Sequence, residues 1–171
     1  HGLASLLAWL AFRVFPYRPR VVQENLGFAF PDLDEPGRRE LMRRFYAGHA
    51  DVLVEIVKGA SLRPEELLQR VEIRGLELVR ERLAQGRPVL LLAAHQCNWE
   101  WMLLAMSLAL DVPVDAAYKP LVDPWAEREM KRLRMRFGAR LVPAQQLLID
   151  ILRRRNLPRV IALVADQEPV A

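Results

Sequence analysis

The alternation of apolar and polar positions divides the chain into short elements of two periods. Val89 to Ala94 is a wholly apolar run bounded by Gly86 and Pro88 on one side and by polar residues on the other, as in a strand buried on both faces of a parallel sheet. Trp99 to Leu110 follows as a helix, with Asn98 placed to cap it. Val112 to Tyr118 reads as a strand and Pro124 to Phe137 as a helix closed by Gly138. Leu141 and Val142 form a short strand, Gln145 to Arg155 a helix, and Val160 to Ala165 a last strand. Upstream, Arg38 to Lys58 predicts a long amphipathic helix with Leu41, Phe45, Val52 and Ile56 along its buried stripe. Val71 to Ile73 predicts a short strand, and Leu76 to Gln85 a helix ended by Gly86. Strand and helix alternate throughout, which predicts an α/β fold: a layered αβα sandwich with a largely parallel central sheet, preceded by N-terminal helices.

The first 20 residues stand apart. Gly2 to Phe15 is apolar except for Ser5 and Arg13, yet shorter than the roughly 20 residues a bilayer span needs. A shortened membrane anchor, an interfacial helix and a core helix all fit it. Trp9, Phe12, Phe15 and Tyr17, followed by Arg18 and Arg20, make an aromatic and basic edge suited to a membrane interface. The basic residues follow the apolar run instead of preceding it, which argues against a secretory signal. We expect residues 1–20 to be a membrane-associated element and 21–171 an α/β domain incomplete at its C-terminus. The chain starts at His1, and its last residues, from Ile161, run off a strand with no closing helix, as a piece of a longer protein would.

In open α/β sheets, ligands bind beyond the C-terminal ends of the strands. The residues that emerge there are His95, Tyr118-Lys119-Pro120 and Asp166-Gln167-Glu168, so polar groups from three strands are expected on one rim. His95 and Glu100 are five residues apart, and on one continuous helix they would point about 140° from each other. With His95 in the loop and Glu100 on the first helical turn, the two side chains can fold together. A carboxylate on one imidazole nitrogen fixes the tautomer and stabilises the imidazolium formed when the other nitrogen takes a proton. Such a pair, without its own nucleophile, suits a reaction in which the substrate supplies the hydroxyl. On spacing alone, a core histidine beside a glutamate that favours the helix dipole fits as well. Cys97 is the rival nucleophile, but adjacent loop positions seldom set a thiol on a ring nitrogen, and cysteine usually packs.

Composition narrows the partners. The 171 residues are 52% hydrophobic and carry a net charge of +4, with a pI near 9.7 and a mean hydropathy of +0.02. That describes a globular chain with a greasy side and a preference for anionic surfaces or ligands. One cysteine excludes an internal disulfide framework and fits a reducing compartment. No zinc spacing, RNP motif or helix-turn-helix signature is present, so neither a metal nor nucleic acid is expected. Arg128, Lys131, Arg132, Arg134, Arg136 and Arg140 surround an apolar stripe of Met130, Leu133 and Phe137. They form a solvated face or one that meets phosphates. Arg153 to Arg155 suit a helix C-terminus, and His49 and Glu55 read as structural.

Three blocks carry a family resemblance. His95 to Glu100 resembles the H-x-x-x-x-[DE] motif of glycerolipid and lipid A acyltransferases, and its Asn98-Trp99-Glu100 ending is most similar to the lipid A biosynthesis (lauroyl/myristoyl) acyltransferases. That family often has Phe-Gly where this chain has Gln96-Cys97. Tyr118-Lys119-Pro120-Leu121 resembles the family's Tyr-Arg-Pro-Leu, with Lys119 keeping the charge but losing the bidentate fork. Asp166-Gln167 resembles its Asp-Gln block, and Asn25-Leu26 followed by Phe30-Pro31 resembles its early region.

The resemblance implies a membrane-associated acyltransferase on the cytoplasmic face of an inner membrane. It would move a fatty acyl group from an acyl carrier protein or coenzyme A thioester to a hydroxyl of a phosphorylated, glucosamine-based lipid A precursor. His95 would be the base and Glu100 its partner. Asn98, Lys119, Arg128, Arg132, Asp166 and Gln167 would bind substrate, with no metal or redox cofactor. Acylation of another glycolipid, such as a phosphatidylinositol mannoside, and a non-catalytic basic membrane-binding module are the alternatives.

Overall fold

The computed structural model describes residues 18–166, which fall into two compact units divided between Lys58 and Gly59. The apolar run from Gly2 to Phe15, with Trp9, Tyr17 and the other aromatic edge residues, lies outside the described residues, as do Gln167 and Glu168. The first unit holds α1 (Pro19–Ala29) and α2 (Glu35–Gly59), which runs to the division. Asp34 starts α2 by accepting the Gly37 N–H at 2.9 Å. The buried stripe of α2 differs from the expected one. Tyr46 and Ala50, one turn apart, are buried, whereas Phe45 is exposed and stacks on His49. No described helix is long and apolar enough to cross a membrane.

The second unit contains α3 (Pro64–Arg70), α4 (Leu76–Ala84), β1 (Val89–Ala93), α5 (Trp99–Ala109), β2 (Val114–Tyr118) and α6 (Pro124–Arg134). After these come β3 (Arg140–Pro143), a 3-10 turn (Ala144–Gln146), α7 (Leu147–Arg153) and β4 (Val160–Val164). Local chemistry explains the borders. Asn98 and Asp123 cap α5 and α6 through the N–H groups of Trp101 and Ala126. The predicted strand at Val71 to Ile73 is absent. Val71 ends α3 with its N–H on the Leu67 carbonyl, and Ile73 packs on the core without a strand partner. Gly138 turns the chain with φ 91°, but four residues after α6 ends at Arg134, because tight turns through Met135 to Phe137 intervene.

All four described strands are parallel, in the order β1-β4-β2-β3. From β1 to β2 the chain moves one way across the sheet through α5, and from β3 to β4 it returns through α7. Right-handed crossovers therefore put these two helices on opposite faces. On the first face Leu83 of α4, Leu103 and Met106 of α5 and Leu110 just past it pack against Val89, Leu91, Ala116 and Val160. The second face presents the alternate residues, Asp115 and Arg140 among them.

Charge fastens α7 to that second face. Asp115, 1% exposed, accepts from Arg159 and from Arg154, the latter at 2.6 Å. Arg159, equally buried, also reaches Asp150 of α7 at 2.6 Å, and Arg140 meets the other Asp150 oxygen at 2.7 Å. Burial pushes the Asp115 carboxyl upward against the pull of Arg159. At Asp150 burial acts the same way, but the hydrogen bonds from Arg159 and Arg140 win and hold it below the ordinary carboxylate range.

These opposed shifts predict an acid response. A depressed Asp150 contributes stability that is whole above its unfolded pKa of about 3.9 and is lost as pH falls through its lower folded value. Asp115, shifted upward, has the opposite sign and blunts the loss. Thermal unfolding followed from pH 6 to pH 2 should show Tm falling below about pH 4, and Asp150→Asn should flatten that limb.

The expected burial of β1 on both faces needs correction. Val89, Leu91 and Ala93 face the core, but Leu90 and Leu92 are 56% and 65% exposed. Among the described residues β1 lies at one edge of the sheet, and α7 sits towards β3 at the other.

Candidate functional site

The β1–β4 ladder continues one step past the strands, where the Ala165 N–H reaches the Ala93 carbonyl at 2.9 Å. That register sets Asp166 opposite His95. One Asp166 oxygen accepts the His95 backbone N–H at 3.0 Å, and the other lies 2.8 Å from the ring Nδ1. The hydrogen bond from His95 holds the Asp166 carboxyl below the ordinary range. An ionised carboxylate only accepts, so in the neutral imidazole Nδ1 carries the proton and Nε2 is the basic nitrogen. Nε2 has no hydrogen-bond partner among the described residues. The ring is about one third exposed, and the edge of Trp99 packs against it with centroids 4.8 Å apart.

The turn from His95 into α5 is tight. Cys97 adopts φ 53°, a left-handed conformation that costs a residue with a side chain about 1–2 kcal/mol. It stands where the resembling family often has glycine. Its thiol is exposed and makes no hydrogen bond to His95 among the described residues. The Asn98 oxygen accepts the Trp101 N–H at 3.0 Å, so it fixes the start of α5.

The expected contact between His95 and Glu100 is not made. Glu100 is 3% exposed, and its two oxygens lie 3.1 and 2.9 Å from Nε of Arg134, with Nη2 at 2.6 Å. Glu100 stands in the first turn of α5 and Arg134 in the last turn of α6, where the helix dipoles favour each charge. Burial works against the Arg134 charge, but Glu100 outweighs it and raises the guanidinium above its ordinary pKa. Arg134 belongs to the run of cations read from the sequence as a solvated face or one that meets phosphates. Its place four residues after Met130 and beside buried Leu133 is the signal that sets it at the border of the apolar stripe.

The other predicted residues are spread along the rim and α6. Lys119 follows β2 and is exposed, with no ion-pair partner among the described residues. The loop it starts is tied down by Glu127, which accepts the Leu121 N–H at 2.8 Å and pairs with Lys131, itself over the Tyr118 ring. Arg128 pairs with Glu129 at 3.2 Å, and Arg132 is exposed. Thus the structure joins Asp166 to His95 and leaves Glu100 with Arg134. The order β1-β4-β2 sets the Asp166 strand between those of His95 and Lys119.

Fold and rim together define an α/β domain of the kind that takes up ligands beyond its strand ends. Residues 2–171 match the model of the bacterial lipid A biosynthesis acyltransferase family, and the chain belongs to that family. It is 26% identical over 136 residues to a lipid A biosynthesis acyltransferase of Haemophilus influenzae, covering 78% of this chain and 41% of that protein. It is 27% identical to two proteins of Escherichia coli. One is a lipid A biosynthesis lauroyltransferase, with 72% of this chain and 40% of the relative covered. The other is a lipid A biosynthesis myristoyltransferase, with 68% and 36% covered. The chain spans about two fifths of the length of these relatives.

Proposed function

We propose that this chain carries the general base of an acyltransferase that moves a fatty acyl group from a thioester donor to a hydroxyl of a lipid A precursor. The observation that supports this most is a ring whose Nδ1 proton is held and whose Nε2 has no hydrogen-bond partner among the described residues, at the motif that resembles the family's own. Nε2 of His95 takes the acceptor hydroxyl proton as that oxygen attacks the thioester carbonyl. The tetrahedral adduct collapses, the carbon–sulfur bond breaks, and the departing thiolate of acyl carrier protein or coenzyme A recovers the proton from the imidazolium.

Lys119, exposed on the rim, binds an acceptor phosphate or the developing negative oxygen. Arg128 and Arg132 add cations for the acceptor or for an anionic bilayer at the cytoplasmic face of an inner membrane. Asn98 serves the site by holding the turn, its oxygen already engaged. Leu121, Val122 and Trp125 are exposed beside Lys119, which favours work at a lipid surface.

Lys119 gives a direct test. Charge-assisted hydrogen bonds contribute about 1.5–3 kcal/mol, so Lys119→Ala in the full-length protein should raise KM for the phosphorylated acceptor by roughly tenfold or more. Lys119→Arg should stay near the parent value. Equal KM for all three in steady-state assays removes Lys119 from the acceptor site. Run with both a lipid A precursor and a phosphatidylinositol mannoside, the same assay decides between acceptor classes.

A further inference from the structure

We propose that the carboxylate steadying the base is Asp166, and that Glu100, the acid of the H-x-x-x-x-E motif, acts on the fold by locking α5 to α6 through Arg134. The inference rests on His95 being the base. It assigns the two acids different work.

Asp166 holds His95 at two points. The backbone bond at 3.0 Å and the ring bond at 2.8 Å together fix the main chain and the side-chain torsion of the same residue. Continuation of the β1–β4 ladder delivers this arrangement, so it depends on sheet register and not on a flexible loop. When Nε2 takes a proton, the new positive charge lies beside an ionised carboxylate already in place. Asp166 is therefore a positioning residue for the proton transfer.

Glu100 is engaged elsewhere. Both of its oxygens lie in the Arg134 fork, in a site nearly closed to water. Turning it towards His95 would strand a largely buried guanidinium. Its effect on the base is indirect. The Glu100–Arg134 pair fixes the first turn of α5, and that turn begins with Trp99, the residue packed against the His95 ring.

Nitrogen-15 NMR of ring-labelled histidine in the full-length protein separates these roles. The His95 signals are assigned by their loss in His95→Ala. In the parent protein the neutral ring should be the Nδ1–H tautomer. Asp166→Ala should shift it towards Nε2–H and lower kcat by about 10- to 10²-fold, with KM changed less than twofold. Added to His95→Ala, the same substitution should cost nothing more, because it acts through a ring no longer present. Asp166→Asn, of nearly equal size, should keep the fold yet still lower kcat, since its one amide oxygen cannot accept both His95 N–H groups and a neutral amide cannot balance the imidazolium.

Glu100→Gln should lower Tm while leaving the tautomer as in the parent. The proposal is overturned if Glu100→Gln changes the tautomer and Asp166→Ala does not, or if Asp166→Ala lowers activity equally with and without His95. Parent-level turnover in His95→Ala overturns the general-base reading instead, and the tautomer measurements judge Asp166 on their own.

Discussion

Replacing His95 with Ala in the full-length protein is expected to lower kcat by about 10²–10⁴-fold, the scale of a lost general base. KM for donor and acceptor should stay within a few-fold, because the ring's other partners, Asp166 and the Trp99 edge, belong to the protein. The ring is partly exposed, so the fold should tolerate the change with only a small shift in Tm. Loss of rate with retained binding and stability is the signature of a proton-transfer group. A loss confined to KM, measured by initial rates over both substrate concentrations, would instead make His95 a binding residue.

Arg159→Ala should produce a large loss of stability. Arg159 is 1% exposed and bonds to Asp115, itself 1% exposed, and to Asp150. Breaking up a buried ionic group by removing one member costs about 3–5 kcal/mol, and here Asp115 and Asp150 would keep only their more exposed partners, Arg154 and Arg140. For a chain of this size each kcal/mol lowers Tm by about 2–4 °C, so a fall of roughly 6–20 °C is expected in calorimetry. The group is at the strand starts, away from the rim that bears His95. Any protein that stays folded at assay temperature should therefore keep its kcat, which separates this defect from that of His95→Ala.

Comparison of these two sites shows which features of the chain were legible in advance. Periods and caps act locally. Asn98 and Asp123 announce α5 and α6 because their oxygens reach only three residues ahead. His95 is legible because an apolar run ends beside it, and a parallel strand must deliver its last residue to the rim. The partner of Glu100 is another matter, because spacing limits which groups come near but not which one wins. Arg134, 34 residues later, takes both oxygens. Nothing local pairs Asp115 with Arg159, 44 residues away, since the return of β4 between β1 and β2 brings them together. The apolar run at β1 hid a distinction of the same origin. Five consecutive apolar residues read alike whether one face is covered or two, and among the described residues Leu90 and Leu92 stay open on a strand at the edge of the sheet.

Acyl transfer itself is the most direct measurement. The full-length protein, given an acyl carrier protein or coenzyme A thioester and a phosphorylated glucosamine-based lipid acceptor, should convert the acceptor to a product heavier by one acyl chain in mass spectrometry. His95→Ala should lose that product by about 10²-fold or more. Absence of the product with either donor, or undiminished formation by His95→Ala, would contradict the assignment of this rim as the place where the hydroxyl is deprotonated.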